Sequence, residues 1–440
     1  MIVSLILDLL YGLILFLASP WLLWRSWSTG RYRQGVGEKL LGLGSLPSSG
    51  HTSPEFRPVW FHGVSVGEVH LLRQVVAAFR RRFPQYPVIV SSTTDTGLAE
   101  ARKAFADLTV VPFPFDFSWA VARTINTINP GLIILAEGDL WPNLLLAAKR
   151  RALPVAVINA RMSPRSFERY RRLGSLPRWL LQQVSVFLTQ DQRHADNLKG
   201  LGLPAERVIV TGSVKFDGSS FNRDNPATSR LGKILKVNTG DLIWIAGSTQ
   251  APEEEIVLRI YQELKQSIPQ LKLFLVPRHP ERFSEVANLV ERNGCPVSCR
   301  STLTEETPAR DVVLVDSMGE LTALWGLADL AFVGGSLDGK RGGQNMIEPA
   351  GYGVPVLFGP HVWNFRETAR RLVEVGGAIQ IGNEAELKEV ATRLLQSLEQ
   401  RHSMGQAGRE FVKSQQGATE RTLDQLAHWL PQTSQNSHAA

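Results

Sequence analysis

The chain opens with an almost unbroken apolar run, Met1 to Trp27, broken by Asp8 and Pro20 and accompanied at its end by Arg25, Arg31 and Arg33. Such a run predicts a membrane-associating helix. The positive charges follow the apolar stretch rather than precede it, which argues against a cleaved signal peptide. By the positive-inside tendency they put the body of the chain on the cytoplasmic side, and Trp21, Trp24 and Trp27 suit the interfacial belt. Asp8 and Pro20 leave barely enough apolar length for a crossing. A spanning helix, a helix lying in the interface and a core helix capping a domain all fit the pattern.

From Val59 the pattern changes to short β-branched runs separated by amphipathic stretches such as Glu68–Phe83. The predicted strands are Val59–His62, Val88–Ser92, Leu132–Glu137, Val155–Asn159, Val186–Gln190 and Val208–Gly212. Asp217 to Gly240 is rich in Gly, Ser, Asn, Asp and Pro without a clear apolar period, which marks a boundary. The alternation then restarts with Leu242–Gly247, Leu273–Pro277, Val312–Asp316, Leu330–Gly334 and Val354–Gly359, and closes with helices from about Glu384 to Leu430. Strands alternating with helices imply parallel sheets. The expected fold is α/β, two doubly wound Rossmann-like domains facing a central cleft. The expected divisions are an anchor over 1–27, domains over 28–220 and 221–405, a C-terminal helix over 406–430 and a polar, frayed tail over 431–440. No short tandem repeat occurs, so a solenoid is excluded.

Composition narrows the class. With 43% hydrophobic and 20% charged residues among 440, the chain is neither disordered nor a multi-span membrane protein. Lys and Arg outnumber Asp and Glu by 48 to 41, which suits an anionic substrate, a membrane surface or nucleic acid. Its two cysteines, Cys295 and Cys299, lack the further ligands of a zinc site and read as ordinary thiols.

Polar residues that break the pattern collect at the carboxyl ends of the predicted strands. In His62-Gly63-Val64-Ser65-Val66-Gly67-Glu68, the carboxylate stands in the first turn of a helix. It is either a favourable helix charge or a general base facing the cleft; the spacing leaves both open. Glu137 and Asp139 superficially resemble a two-carboxylate metal clamp, with no third ligand apparent. Between Arg161 and Arg178 six arginines face one acid, Glu168, a one-sign cluster that favours an anionic partner such as a phosphorylated lipid. Nucleic acid would fit the charge as well, but the cluster is not expected to offer interleaved exposed aromatics and matches no recognised module, so that reading falls behind. In the second half, Ala246-Gly247-Ser248-Thr249 reads as a phosphate cradle or as a helix cap. Arg278, in Pro277-Arg278-His279-Pro280-Glu281-Arg282, suits a phosphate. Gly342-Gly343-Gln344-Asn345-Met346-Ile347-Glu348 offers backbone amides and a carboxylate for a ribose. Together these strand-end sites point to a nucleotide.

These residues, with Leu140-Trp141-Pro142-Asn143, Asn159-Ala160-Arg161-Met162-Ser163, Thr211-Gly212-Ser213-Val214-Lys215-Phe216-Asp217, Met318-Gly319-Glu320-Leu321 and Ala331-Phe332-Val333-Gly334-Gly335-Ser336, resemble the 3-deoxy-D-manno-octulosonic acid (Kdo) transferases. These are GT-B glycosyltransferases of bacterial lipopolysaccharide synthesis. The resemblance covers nearly the whole chain. It implies transfer of Kdo from CMP-Kdo to a lipid A precursor, with inversion and without metal or cofactor, at the cytoplasmic face of the inner membrane. It further implies Glu68 as general base, Glu137 and Lys215 assisting the transition state, and CMP contacts from Pro277, Arg278, Met318, Gly319, Glu320, Asn345, Met346, Ile347 and Glu348. The chain departs from the family at Gln250, where a histidine usually follows Ser-Thr, and at Asp139, where the family has a glutamate. The rival readings are a GT-B sugar-nucleotide epimerase, a related transferase using another CMP-sugar, and a non-catalytic nucleotide- or lipid-binding protein. Every candidate catalytic residue lies beyond Val59, so the apolar N-terminal segment is expected to supply membrane area and little chemistry.

Overall fold

A computed structural model describes residues 2–29, 35–46 and 56–431. Arg31, Arg33 and the tail beyond Pro431 lie outside these residues. The chain forms two compact units: residues 1–217 with 416–440, and residues 218–415.

The first unit is built on a seven-stranded parallel sheet of β1 (Val59–His62), β2 (Val88–Ser92), β3 (Thr109–Pro112), β4 (Leu132–Ala136), β5 (Val155–Ala160), β6 (Val186–Thr189) and β7 (Val208–Val210), in the order β3-β2-β1-β4-β5-β6-β7. Its central strands are buried throughout because helices cover both faces, which is why they read as continuous apolar runs. Alternate residues serve opposite cores. Trp60, Ile133 and Leu135 pack with Leu144 and Leu145 on one face, and Phe61, Leu132 and Ile134 pack with Val69, Leu72 and Phe79 on the other. The second unit repeats the plan with β8 (Leu242–Thr249), β9 (Leu271–Pro277), β10 (Val297–Cys299), β11 (Val312–Leu314), β12 (Leu330–Val333), β13 (Val356–Phe358) and β14 (Ala378–Gln380), in the order β10-β11-β9-β8-β12-β13-β14. Strand order reverses between β1 and β4 and between β8 and β12, and ligands of open α/β sheets bind beyond the strand carboxyl ends at such points.

Three features differ from the sequence expectation. The edge strands β3, β10 and β14 go unannounced, and the passage Asp217 to Gly240 contains a helix, Pro226–Ile234, capped by Asn225 through Thr228 N–H at 3.0 Å. Where one helix was expected over 406–430 there are two, Leu398–Gln415 and Ala418–Ala427, and the second belongs to the first unit. Asp217 ties that helix down: its carboxylate accepts from Gly417 N–H at 2.7 Å and from the amides of Ala418 and Thr419. Asp217→Ala is expected to destabilise the first unit by about 1–2 kcal/mol, the usual loss on removing a helix N-cap, read as a lower urea midpoint.

Candidate active site

In the first unit, β1 runs out at His62, and the turn that follows delivers the helix Val66–Arg82 with Glu68 in its first turn. His62 is wholly buried. It stacks on Phe113 at 3.7 Å between ring centres, with Nδ1 3.0 Å from Ser91 Oγ. Burial drives its pKa down to about 3, so it is a neutral packing residue and no proton carrier. Gly63 is required by close approach, since a Cβ there would lie 3.1 Å from Glu68 Cβ and from Leu72 Cδ1. Glu68 itself is only 8% exposed. Val64 N–H donates to Glu68 Oε2 at 2.6 Å, and Ser65 Oγ donates to Oε1 at 3.0 Å. Desolvation raises its pKa first, the charges of Asp139 and Glu137 raise it further, and the two hydrogen bonds work against the shift. The outcome is a fixed carboxylate, poised above the ordinary glutamate range.

Glu137 follows β4 directly and takes a left-handed backbone, φ 61°, which a non-glycine residue adopts only under constraint. That twist turns its carboxylate onto two cations: Oε1 lies 2.8 Å from Lys215 Nζ and Oε2 lies 3.0 Å from Arg161 Nη2. The pair with two cations replaces the metal clamp that Glu137 and Asp139 superficially suggested. Asp139 is raised by burial and by Glu137, and lowered by Arg161. Asn159, also left-handed at φ 51°, joins the two halves of this cluster. Its Oδ1 accepts from Val214 N–H at 3.2 Å, fixing the turn that carries Lys215, and its amide reaches Glu137 Oε1 at 3.4 Å. In the sequence Asn159 opens the motif Asn159-Ala160-Arg161-Met162-Ser163 with no role of its own. The one legible signal was an amide-bearing residue, tolerant of a left-handed backbone, at the end of a strand. Arg161 likewise sits in the carboxylate cluster, apart from the exposed arginines of the helix Pro164–Arg172, which buries no residue.

In the second unit the amides just beyond β8 and β12, next to the expected phosphate cradle, are taken by the protein itself. Glu253, 1% exposed, accepts four backbone N–H groups, from Gln250 (3.0 Å), Gly335 (2.7 Å), Ser336 (2.8 Å) and Leu337 (3.1 Å). These amides are therefore spent on locking the β8 and β12 loops together. Nearby, Arg282 holds the buried Glu254 with a fork of 2.6 and 3.2 Å, so the second arginine of the Pro277–Arg282 motif is structural. The first, Arg278, is exposed; its backbone N–H donates to Thr249 O at 3.0 Å, beside a buried Thr249 hydroxyl that has no partner among the described residues. Met318 is exposed, and Gly319 needs its left-handed φ of 86° to make the turn that presents it. Glu320 pairs with Arg300 at 2.8 Å. Asn345 Nδ2 donates to Glu348 Oε1 at 2.9 Å, Thr322 Oγ donates to Oε2 at 3.0 Å, and burial raises the Glu348 carboxyl. The side chains of Met346 and Ile347, 0% and 1% exposed, are core, so only their main chain can meet a ligand.

Each unit thus gathers its candidate residues at the carboxyl edge of its own sheet. The description of the family model that matches residues 34–218 is 3-deoxy-D-manno-octulosonic-acid transferase. The 3-deoxy-D-manno-octulosonic acid transferase of Haemophilus influenzae is 35% identical over 403 residues, covering 91% of this chain and 92% of that protein. The corresponding transferase of Chlamydophila psittaci is 31% identical over 416 residues, covering 94% and 93%. Among solved structures, Acinetobacter baumannii MurG superposes with a TM-score of 0.56 at 14% identity, covering 84% of this chain and all but 1% of that one, a likeness of fold. With more than nine-tenths of its length matched at this identity, and each unit built on a doubly wound parallel sheet, the chain belongs to the Kdo transferase family and is a glycosyltransferase.

Proposed function

We propose that the protein transfers Kdo from CMP-Kdo to a lipid A precursor of the lipid IVA type, with inversion, Glu68 acting as general base. The observation that carries this reading is the Glu68 carboxylate: buried, oriented by two hydrogen bonds, and raised above its ordinary range by desolvation. A sugar hydroxyl attacks poorly until its proton is taken, and a base works best with a pKa drawn toward the working pH. In the proposed step Glu68 accepts that proton as the hydroxyl oxygen bonds to the anomeric carbon of Kdo. The bond from that carbon to the CMP phosphate breaks, and CMP departs with the electron pair. Lys215 and Arg278 are assigned to the negative charge that develops, with Glu137 holding Lys215 at 2.8 Å. Arg278, Met318, Gly319, Glu320 and the Asn345–Glu348 segment are assigned to CMP, Pro277 and the buried Met346 and Ile347 through their main chain. The unpartnered Thr249 hydroxyl supports a ligand at this edge.

The exposed arginines of Pro164–Arg172 are assigned to the phosphorylated acceptor or to anionic lipid. The apolar N-terminal helix, with Ile2, Leu5, Leu9, Leu13, Phe16 and Trp24 exposed, is assigned to the cytoplasmic side of the inner membrane. Incubation with CMP-Kdo and tetraacylated lipid A precursor tests the reading: Kdo-bearing lipid and free CMP are expected, and release of CMP without a glycolipid product overturns the acceptor assignment. Arg278→Ala is expected to raise the Kd for CMP by roughly 10- to 100-fold, the value of a charge-assisted hydrogen bond. An unchanged CMP affinity in a binding titration would place the donor elsewhere.

A further inference from the structure

The N-terminal helix, Ile2–Thr29, carries more than apolar area. While most of its large side chains are exposed, Ser4 and Asp8 are buried, 4% and 8% exposed, against the first unit. Asp8 Oδ1 accepts from Ser118 N–H at 2.8 Å and from Asn143 Nδ2 at 3.1 Å, while Oδ2 accepts from Ser118 Oγ. One turn on, Tyr11 OH donates to Asp116 Oδ2 at 3.2 Å. Asp116 in turn takes Asn143 N–H and Leu144 N–H, each at 2.9 Å, the free amides of the first turn of Pro142–Arg150. Asp8 and Asp116 therefore cap two helices, Ser118–Ile128 and Pro142–Arg150, that begin at the carboxyl edge of the sheet after β3 and β4. Between β4 and Pro142 lies the loop that contains Glu137 and Asp139. From its last residue, Trp141, ring contacts run to Phe113 at 5.4 Å and on to His62 at 3.7 Å, next to the Glu68 turn.

We propose that Asp8 is a positioning residue for the transfer reaction: through Ser118 and Asn143 it fixes the start of the Pro142–Arg150 helix, and with it the loop that carries Glu137 and Asp139. The N-terminal segment then belongs to the working enzyme, contrary to the expectation that it adds little chemistry. The inference rests on the reading of Glu137 as part of the catalytic centre. A carboxylate that would be costly in lipid is accommodated in the first third of an apolar helix because its partners are protein donors. A small displacement of catalytic groups is enough to slow a reaction by about 10²-fold.

The test compares full-length Asp8→Ala, Asp8→Asn, Asn143→Ala, the double variant Asp8→Ala/Asn143→Ala and Glu137→Gln on detergent-dispersed acceptor. Sedimentation with phosphatidylglycerol vesicles and CMP affinity are measured in parallel. Asp8→Ala is expected to lower kcat by roughly 10- to 100-fold, with KM for both substrates within about threefold of wild type, unchanged CMP affinity and undiminished vesicle binding. Asp8→Asn, which keeps one acceptor oxygen, is expected to recover part of the loss and decides the matter should the alanine variant fold poorly. The double variant is expected to lose clearly less than the two single losses combined, because the two side chains share the Asp8–Asn143 contact. A kcat within twofold of wild type in both Asp8 variants, or fully additive losses, overturns the proposal while leaving the site intact, provided Glu137→Gln is slow. A Glu137→Gln enzyme as fast as wild type overturns the reading of the site on which the proposal stands, and the proposal with it.

Discussion

Glu68→Gln is expected to lower turnover by about 10²–10⁴-fold, the usual contribution of a positioned general base, while the protein keeps its fold and its CMP affinity. Glutamine has the size to keep both local bonds, with the amide oxygen accepting from Val64 N–H and the amide nitrogen donating to Ser65 Oγ, yet it cannot take a proton. The pH dependence follows from the direction of the shift. Burial lifts the Glu68 carboxyl above its unfolded value, so the base form is present above that raised pKa and lost as pH falls through it. The acid limb of kcat/KM is therefore expected at higher pH than an ordinary glutamate would give. Stability runs the other way: a carboxyl raised on folding stabilises the fold while protonated, and that contribution is lost as pH rises through the folded pKa. Above the folded pKa the neutral glutamine escapes that cost, so there the variant is expected to melt no lower than wild type. Turnover above about a tenth of wild type removes Glu68 from the base role.

Glu253→Ala is expected to have the largest effect on stability. Its carboxylate takes the amides of Gln250, Gly335, Ser336 and Leu337, and alanine leaves all four donors without it in a largely closed site. At about 1–3 kcal/mol for each buried donor left unsatisfied, the loss is roughly 4 kcal/mol or more. Denaturant unfolding is expected to show the second unit melting early, with CMP binding lost alongside because the β8 and β12 loops come apart. Glu253→Gln, which keeps one acceptor oxygen, is expected to fall between. A Glu253→Ala protein as stable as wild type would mean that water replaces the carboxylate.

How much of this was legible in the sequence depends on where the information lies. The central strands were, because a strand buried on both faces must be apolar along its length, and Val59–His62 and Val88–Ser92 read off residue for residue. The edge strands β3, β10 and β14 were hidden for the same reason: Ala378-Ile379-Gln380 is covered on fewer sides and leaves little apolar signal. Glu68 and Glu137 were legible as polar interruptions at strand ends, and Lys215 only through the family resemblance. Glu253 was not, since three of its four partners are main-chain amides about eighty residues away, and any residue type can supply an amide. Asp8 and Asp217 escaped similarly, each acting on a helix start far along the chain. Arg161 was grouped with its neighbours by charge, whereas geometry separates it from them.

The return of residues 416–440 to the first unit bears on how the chain is made. Ala418, Leu423 and Leu426 are buried in the same cluster as Val69, Leu72 and Val76, so the sheet of the first unit lacks part of its cover until residues 418–426 have been made. Roughly 200 residues separate Asp217 from Ala418, which at about 5–20 residues per second leaves that apolar groove open on the ribosome for about 10–40 s. The second unit, contiguous from 218 to 415, is free to complete itself in that interval. The half of the enzyme that is synthesised first is therefore the half that finishes last, and an N-terminal fragment ending at the linker would carry a groove open to chaperones or to aggregation.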